Sequence, residues 1–137
     1  FTNGNIANRP AILEQINKKF ESVRDVVDKI IASDSAEAAS LYEDNSIDFL
    51  FIDASHEYAD VKKDIIAWKP KMKSGSIMSG HDFCYYPGTD GVFKAVMEEF
   101  SEWNVHRGTK FYGNDDREKN MIGLDGKYFP SWWVKIP

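Results

Sequence analysis

Hydrophobic and polar residues alternate in blocks along the chain, and the spacing within each block predicts its secondary structure. After residue 8, the segment RPAILEQINKKF places apolar residues at helical spacing, and Pro10 suits the first turn of a helix. The run that begins at Val23 is rich in β-branched residues and predicts a strand over Val26–Ile31. The segment SAEAASLYED then predicts a short helix with Ser35 as its N-cap.

The next two blocks predict a strand and a helix. In SIDFLFID, residues 46–53, the apolar residues run on rather than alternate, which predicts a strand buried on both faces. The segment EYADVKKDIIAWKPKMK carries four large residues on one stripe: Tyr58, Val61, Ile65 and Trp68. It therefore predicts an amphipathic helix that ends near Pro70.

The last part of the chain predicts a short strand, a helix and two final strands. SGSIMSGHDF predicts a strand entered through a turn at Gly75, and TDGVFKAVMEEFSEW predicts a helix. WNVHRG and SWWVKIP predict the final strands, joined by the polar segment around GNDDREKN. We expect Trp132 to lie in the core and Trp133 to lie on the opposite face of an edge strand.

This order of elements predicts an α/β fold. Helix and strand alternate up to the last pair of strands. Such alternation implies right-handed crossovers and a mostly parallel sheet with helices on both faces. The final pair predicts an antiparallel hairpin at the C-terminal end of the chain.

The composition limits the class of protein. With 137 residues, 42% of them hydrophobic, the chain is long enough for one domain with one core. The formal net charge of -5 argues against a nucleic-acid surface. No apolar stretch approaches the ~18 residues that a membrane span needs. Cys84 is the only cysteine, so an internal disulfide is excluded and a reducing, cytoplasmic location is expected.

Polar residues follow three of the predicted strands at the point where each strand ends. In open α/β sheets, ligands bind beyond the carboxyl ends of the strands. We therefore expect these residues to line one shared crevice rather than three separate turns. The three groups are Ser33–Asp34–Ser35, Asp53 to His56, and Gly80–His81–Asp82.

Each of these residues also has a purely structural interpretation. Asp34 and Asp53 could cap the helices that follow them. His56 could be a surface loop residue, and His81 and Asp82 could belong to a turn. The sequence alone leaves both interpretations open for each position.

Residues 46–83 resemble the fourth strand, the following helix and the fifth strand of class I S-adenosylmethionine-dependent methyltransferases. They are most similar to the small-molecule methyltransferases of this class. The segments IASDSAEAA and SWWVKI resemble, more weakly, the third strand with its adenine-side acid and the last strand. The residues that carry the resemblance are Ile52, Asp53, His56, Tyr58, Val61, Asp64, Trp68, Gly75, His81 and Asp82.

The resemblance implies a Rossmann-like three-layer sandwich with S-adenosylmethionine as cofactor. It implies that Asp34 accepts a hydrogen bond from the adenine amino group, with Ser33 and Ser35 framing it and Asp53 also near the cofactor. The implied activity is methyl transfer to a small-molecule acceptor, with a hydroxyl group as the expected acceptor.

The resemblance also implies the chemistry of the crevice. Asp53 stands where metal-dependent O-methyltransferases of this class place a metal-binding acid, and His56 stands near their general base. His81 and Asp82 stand where those enzymes place two further metal ligands. A histidine there is a poor match for Mg²⁺, which prefers oxygen, although another divalent metal is compatible. The aromatic run Phe83–Gly88 is expected to form part of the acceptor pocket.

Two features of the family are absent from this sequence. There is no glycine-rich loop of the kind that holds the methionine part of the cofactor, because the nine glycines are scattered. The chain also begins, by resemblance, just after the second strand of the family. We therefore expect residues 1–137 to be one N-terminally truncated domain that lacks the first two strands. An upstream segment or a homo-oligomer is expected to complete the sheet.

The missing glycine loop keeps a second class of function open. The chain could be a non-catalytic, methyltransferase-like module that binds a partner or scaffolds a complex. A nucleotide-dependent oxidoreductase of similar sheet design is a further alternative, but it too needs a glycine fingerprint.

Overall fold

The computed structural model describes residues 9–84, 90–106 and 130–137. The chain divides into two compact units, residues 1–34 and residues 35–137. Helices of the described segments are all too short or too polar to span a bilayer.

The first unit contains helix α1, Arg9–Phe20, as its sequence spacing predicts. A single 3-10 turn follows at Glu21–Val23. The predicted strand at Val26–Ile31 is wrong, since none of these residues is in a strand. The backbone N–H groups of Val26 and Val27 both donate to the Val23 carbonyl at 3.0 Å, which turns the chain instead of extending it. Val26 is also 77% exposed, so its β-branched side chain has no sheet to pack against.

The second unit contains the remaining elements in the order that the sequence predicts. Each of the later predicted helices and strands is present, with shifted ends in most cases. Their bounds are α2 Ser35–Ala38, β1 Ile47–Ile52, α3 Tyr58–Trp68, β2 Met72–Gly80, α4 Gly91–Glu99, β3 Asn104–His106 and β4 Ser131–Lys135.

The strands form one sheet with the order β1-β2-β4-β3. β1 and β2 are parallel, whereas β4 is antiparallel to both β2 and β3. The α/β class and the C-terminal antiparallel pair are thereby confirmed. Within the described segments the sheet is mixed rather than mostly parallel, because only one of its pairings is parallel. β4 is an inner strand, so the expectation of an edge strand at Trp132 and Trp133 is wrong.

β2 begins three residues before Gly75 rather than after a turn at that glycine. Its pairing with β1 jumps from Met72 to Ile77, which leaves an irregular stretch between them. Gly75 has a φ of 79°, a left-handed conformation that glycine adopts without strain. Its N–H donates to the Ile136 carbonyl at 2.8 Å, and Ile136 N donates back to Ser76 at 2.9 Å. The irregular stretch therefore ties β2 to the end of the chain.

One face of the sheet packs against helices α3 and α4. The buried side chains on this face belong to a single apolar cluster with residues from both helices. The shared helix residues include Val61, Ile65 and Val96, each 1% exposed or less. The buried sheet residues of the cluster are Ile52, Met72, Met78, Trp132 and Val134.

The other face of the sheet is more open. Phe49 and Phe51 alternate with the core residues of β1, and they are 61% and 47% exposed. Trp133 on β4 lies on the same face and is also exposed. The prediction that β1 is buried on both faces is therefore wrong. A continuous apolar run is typical of a doubly covered strand, but α3 and α4 contribute to the apolar cluster on the opposite face, and Phe49 and Phe51 stay exposed.

Candidate functional site

The crevice forms where β1 and β2 end side by side. Ile52, the last residue of β1, is paired with Gly80, the last residue of β2. The backbone N–H of His81 donates to the Ile52 carbonyl at 3.1 Å, which holds the two chain segments together one residue further on. Asp53 and His81 therefore emerge from neighbouring strand ends, as the sequence predicts for these two groups.

A small cavity of about 10 Å³ lies at this position. That volume is on the scale of one water molecule, so it holds a single functional group rather than a whole cofactor. The cavity is lined by Ile52, Asp53, Ser55, His56, Val61, His81, Asp82, Val92 and Trp132.

Asp82 is the centre of the polar groups in the crevice. Its Oδ2 lies 2.7 Å from Nε2 of His56, and its Oδ1 lies 3.2 Å from Nδ1 of His81. The Asp82 side chain is 14% exposed, whereas that of His56 is 59% exposed. Asp82 has a φ of 57°, a left-handed conformation that aspartate tolerates better than most residues. This backbone turn places one carboxylate between two imidazoles.

The loop that carries His56 is held from both sides. Ser55 Oγ donates to Asp60 at 2.8 Å and accepts from the N–H of Glu57 at 3.2 Å, which closes the turn into α3. On the other side, Gly91 of α4 packs directly against the loop backbone. A Cβ at Gly91 would lie 2.2 Å from the carbonyl oxygen of His56, so only glycine fits there.

Asp53 lies at the open rim of the crevice. The N-cap of α3 is Glu57, and no side chain caps it, so the structural interpretation of Asp53 as a helix cap does not apply. Single ligand atoms of Asp53, His81 and Asp82 lie within 4.8 Å of one another. The structure therefore brings together four of the predicted site residues, these three and His56.

The predicted adenine-binding residues are at the boundary between the two units. Ser33 and Asp34 end the first unit, and Ser33 Oγ donates to the Asp34 carbonyl at 3.2 Å. Ser35 begins α2 in the second unit, where its Oγ accepts a hydrogen bond from Trp68 Nε1 at 3.1 Å. Ser35 thus anchors α2 to the end of α3. The role of the three residues at the adenine stays a prediction.

The aromatic run predicted to form the acceptor pocket begins in the core. Phe83 is 1% exposed and packs against Phe93 and Trp103, with ring centroids 5.1 Å apart in both pairs. Cys84 is buried beside it. The prediction is therefore wrong for Phe83, and residues 85–89 of the run lie outside the described segments.

Trp132 is a site residue that the sequence analysis missed, and it lies against Gly80, one of the residues expected in the crevice. Trp132 of β4 pairs with Gly80 across the sheet and lines the cavity. A Cβ at Gly80 would lie 2.6 Å from the Ile52 carbonyl and 2.7 Å from Trp132 Nε1. The glycine before His81 is a signal for this close approach, but the sequence does not reveal which side chain approaches.

The fold and the crevice together define an α/β domain with a polar cleft beyond the carboxyl ends of two parallel strands. A family model described as a methyltransferase domain matches residues 3–83, more than half of the chain, so the chain belongs to this methyltransferase family.

Two individual proteins are also similar to this chain. The uncharacterized protein y4gI of Sinorhizobium fredii (strain NBRC 101917 / NGR234) is 37% identical over 54 residues, which are 39% of this chain and 6% of y4gI. The crystal structure of spermidine synthase from Thermotoga maritima matches with a TM-score of 0.58 and 13% identity, over 93% of this chain and 40% of that one. The chain thus spans less than half of either protein, and the structural likeness concerns the fold alone.

Proposed function

We propose that the protein containing this chain transfers a methyl group from S-adenosylmethionine to a hydroxyl group of a small molecule. The observation that carries the proposal is the contact between His56 and Asp82 at the rim of a cavity sized for one functional group. Membership of the methyltransferase family supports the methyl transfer itself. The geometry of the crevice is the reason for proposing a hydroxyl group as the acceptor.

His56 has the geometry of a general base. A carboxylate accepts hydrogen bonds, so the proposal assigns the Nε2 hydrogen of His56 to the 2.7 Å contact with Asp82 Oδ2. The other ring nitrogen, Nδ1, is then the basic atom. Asp82 fixes the tautomer and the ring orientation, as a carboxylate does for other catalytic histidines.

The cofactor supplies a methyl group already activated on a positively charged sulfur. When bound, the cofactor would supply its methyl group to the acceptor oxygen, and its sulfur would keep the electron pair of the carbon–sulfur bond. The hydroxyl proton moves to Nδ1 of His56, which makes the oxygen a better nucleophile. Charge is balanced, because the sulfonium loses its positive charge and the imidazole gains one.

The charge of the crevice fits a cationic cofactor. Asp53 and Asp82 place two carboxylates at this end of the sheet, and opposite charge favours a sulfonium beside them. Asp53 is exposed at the rim, where it can orient the cofactor or the acceptor. Ser33, Asp34 and Ser35 are the residues proposed to hold the adenine.

The test of the proposal is methyl transfer by the full-length protein. Purified protein is incubated with S-adenosylmethionine labelled in its methyl group and with a panel of phenols, catechols and alcohols. We expect labelled methyl ethers with at least one hydroxyl compound. Transfer only to matched amines or thiols would contradict the hydroxyl acceptor, whereas absence of S-adenosylhomocysteine binding in a thermal-shift assay would favour the non-catalytic module.

A bound divalent metal is a second proposal for the same crevice. Asp53, His81 and Asp82 offer two oxygen ligands and one nitrogen ligand within 4.8 Å, a set that suits Mn²⁺ or Zn²⁺ better than Mg²⁺. Calorimetric titration of the protein with each metal tests this. We expect His81→Ala to abolish binding and His106→Ala, an exposed histidine on β3, to leave it unchanged. Equal affinity of the two variants would rule out His81 as a ligand.

A further inference from the structure

Tyr58, the first residue of α3, is attached to α4 through its side chain as well as through its backbone. Its hydroxyl donates a hydrogen bond to Glu98 Oε2, near the end of α4. Its backbone N lies so close to Gly91, the first residue of α4, that a Cβ on that glycine would be 2.5 Å away. The start of α3 is therefore held to α4 at two points.

The two points lie far enough apart to fix an orientation. Gly91 and Glu98 are one heptad apart, which places them on the same side of α4 at a separation of about two turns, roughly 10 Å. A segment held at a single point pivots about that point, whereas a second, distant point removes most of this freedom. The bond between Tyr58 and Glu98 thus restricts a rotation that the contact at Gly91 alone would allow.

Lys62 completes the group of polar side chains between the two helices. Its Nζ donates to Glu98 Oε1 at 2.6 Å and to the hydroxyl oxygen of Tyr58 at 3.2 Å. The hydrogen bond from Lys62, and then that from Tyr58, lowers the pKa of Glu98, so this carboxylate is ionised at neutral pH. The Tyr58 hydroxyl therefore has a charged acceptor, and hydrogen bonds to charged acceptors are the stronger kind.

The position of His56 depends on the same attachment. Its carbonyl oxygen would lie 2.2 Å from a Cβ at Gly91, so the His56 backbone rests on the start of α4. Asp82, by contrast, follows β2, whose last residues are paired with β1 in the sheet. The 2.7 Å contact between His56 and Asp82 thus joins a segment supported by α4 to a segment supported by the sheet.

We infer that Tyr58 is a positioning residue for His56, an inference that rests on the proposed function because His56 is the proposed base. The bond from the Tyr58 hydroxyl to Glu98 keeps the start of α3 seated on α4, and this holds the His56 ring at hydrogen-bond distance from Asp82. The described residues that line the cavity do not include Tyr58, so it acts through His56 and not on the substrate. Without the bond, fewer molecules hold the base in the productive geometry.

Two substitutions in the full-length protein test the inference. Tyr58→Phe removes the hydroxyl and keeps the ring, whereas the control Lys62→Met breaks the ion pair with Glu98 and keeps the bond between Tyr58 and Glu98. We expect Tyr58→Phe to lower kcat roughly three- to tenfold, the effect of one hydrogen bond, and to leave KM and S-adenosylhomocysteine binding unchanged. Lys62→Met should lower the melting temperature and leave kcat at the parent value.

A pair of variants at Glu98 shows whether the hydroxyl acts through this carboxylate. Glu98→Gln keeps an oxygen acceptor, and Glu98→Leu has none. We expect Glu98→Leu to lower kcat as much as Tyr58→Phe does, and Glu98→Gln to recover most of that loss. The double variant Tyr58→Phe/Glu98→Leu should be no slower than either single variant, because both changes remove the same bond. Losses that multiply in the double variant would overturn the inference.

Nuclear magnetic resonance of His56 gives a measurement that does not depend on turnover. The protein is labelled with ¹⁵N in its histidine rings, and His56→Ala identifies the signals. Asp82→Gly is the reference for a lost contact, since glycine tolerates the left-handed backbone of that residue. We expect Tyr58→Phe to move the His56 signals towards their position in Asp82→Gly, and Lys62→Met to leave them unchanged.

The outcomes separate this inference from the proposed function. If the His56 signals of Tyr58→Phe match those of the parent, the inference is overturned, and methyl transfer by the parent still supports the proposed function. If the signals move but the parent transfers no methyl group, the proposed function is overturned and the placement of His56 by Tyr58 is supported. Equal losses of kcat in Tyr58→Phe and Lys62→Met would show a general loosening of the two helices, which also overturns the inference.

Discussion

The two ends of the β1–β2 pair carry charged residues in opposite arrangements. At the end where the strands begin, each acid has its own lysine: Lys73 lies 2.8 Å from Asp48, and Lys71 lies 2.5 Å from Asp44. At the end where the strands finish, a single carboxylate, that of Asp82, is shared by two histidines. The same two strands thus present one-to-one ion pairs at one end and a shared carboxylate at the other.

This difference shows which end is suited to chemistry. A lysine keeps its proton throughout the neutral pH range, so an exposed lysine–carboxylate pair has one state and a small effect on stability. A histidine is the side chain that gains and loses a proton most readily near neutrality. The end with His56, His81 and Asp82 is therefore the one at which we propose proton transfer.

The largest effect is expected when His56, at the end with the shared carboxylate, is replaced. In the full-length protein, the proposed function leads us to expect that His56→Ala lowers the turnover rate by roughly 10²–10⁴-fold, the usual contribution of a general base. Binding of S-adenosylmethionine should barely change, because the histidine acts on the acceptor. Turnover and calorimetric binding are measured side by side, with His106→Ala as the matched histidine variant outside the crevice. Full turnover of His56→Ala would reduce this histidine to a loop residue and move the search for a base to His81 or Asp82.

Gly91→Ala should be the next largest effect. The added methyl group meets the His56 carbonyl at 2.2 Å and the N–H of Tyr58 at 2.5 Å, and neither backbone atom can move without shifting the loop. We expect a loss of about 1–3 kcal/mol in unfolding free energy and a clear drop in turnover.

Gly75→Ala is the control for that prediction. Its nearest side-chain atom is Lys135 Cε at 4.0 Å, so the cost comes only from the left-handed backbone and should be about 1 kcal/mol. Chemical denaturation gives the stability of both variants, and the turnover of Gly75→Ala should match that of the parent. If the two variants lose turnover equally, the close contact at Gly91 does not position His56.

The fold was predictable from the sequence where the signal is local. The helical spacing after residue 8 and the amphipathic stripe around Ile65 led to α1 and α3 because periodicity alone defines them. The predictions that were wrong depend on contacts between parts of the chain that are distant in sequence. A strand at Val26–Ile31 needs a neighbouring strand for its hydrogen bonds, and the burial of Phe49 depends on what covers that face of the sheet.

The candidate site was predictable to a similar extent. The rule that ligands bind beyond parallel strand ends correctly grouped Asp53 with His81 and Asp82. The sharing of Asp82 between two histidines could not be predicted, because it depends on the left-handed backbone of that residue. The close approach of Trp132 to Gly80 depends on the register between β2 and β4, which no local pattern specifies.

Replacing Lys73, at the end where β1 and β2 begin, should affect stability and turnover much less than the changes at His56 and Gly91. Lys73 is 46% exposed and its partner Asp48 is 79% exposed, so solvent screens the pair. We expect Lys73→Ala to change the unfolding free energy by about 0–1 kcal/mol and to leave turnover at the parent value. Urea denaturation and the methyl-transfer assay provide the two measurements. A loss of turnover in Lys73→Ala would mean that the two ends of the strands are coupled and are not separate in function.

The smallest effect is expected from a change in a third group of charges, the ion pair between α3 and α4. Lys62 Nζ lies 2.6 Å from Glu98 Oε1, and Tyr58 also donates to Glu98. The hydrogen bond from Lys62, and then that from Tyr58, lowers the pKa of Glu98 below its ordinary value of 4.5. The hydrogen bond to Glu98 raises the pKa of Lys62 above its ordinary value of 10.5.

The signs of these two shifts define a pH window for that pair. A lowered carboxyl pKa stabilises the fold above the ordinary value of 4.5 and loses its effect as the pH falls through the lowered pKa. A raised lysine pKa stabilises the fold below 10.5 and loses its effect as the pH rises through the raised pKa. The stability difference between the parent protein and Glu98→Gln should therefore be constant from about pH 6 to 9 and shrink towards acid. Denaturation curves at pH 3, 7 and 9 test this. If this stability difference changed between pH 7 and 9, a lysine–carboxylate pair would also depend on pH near neutrality. The contrast with the end that carries the histidines would then no longer identify the end suited to proton transfer.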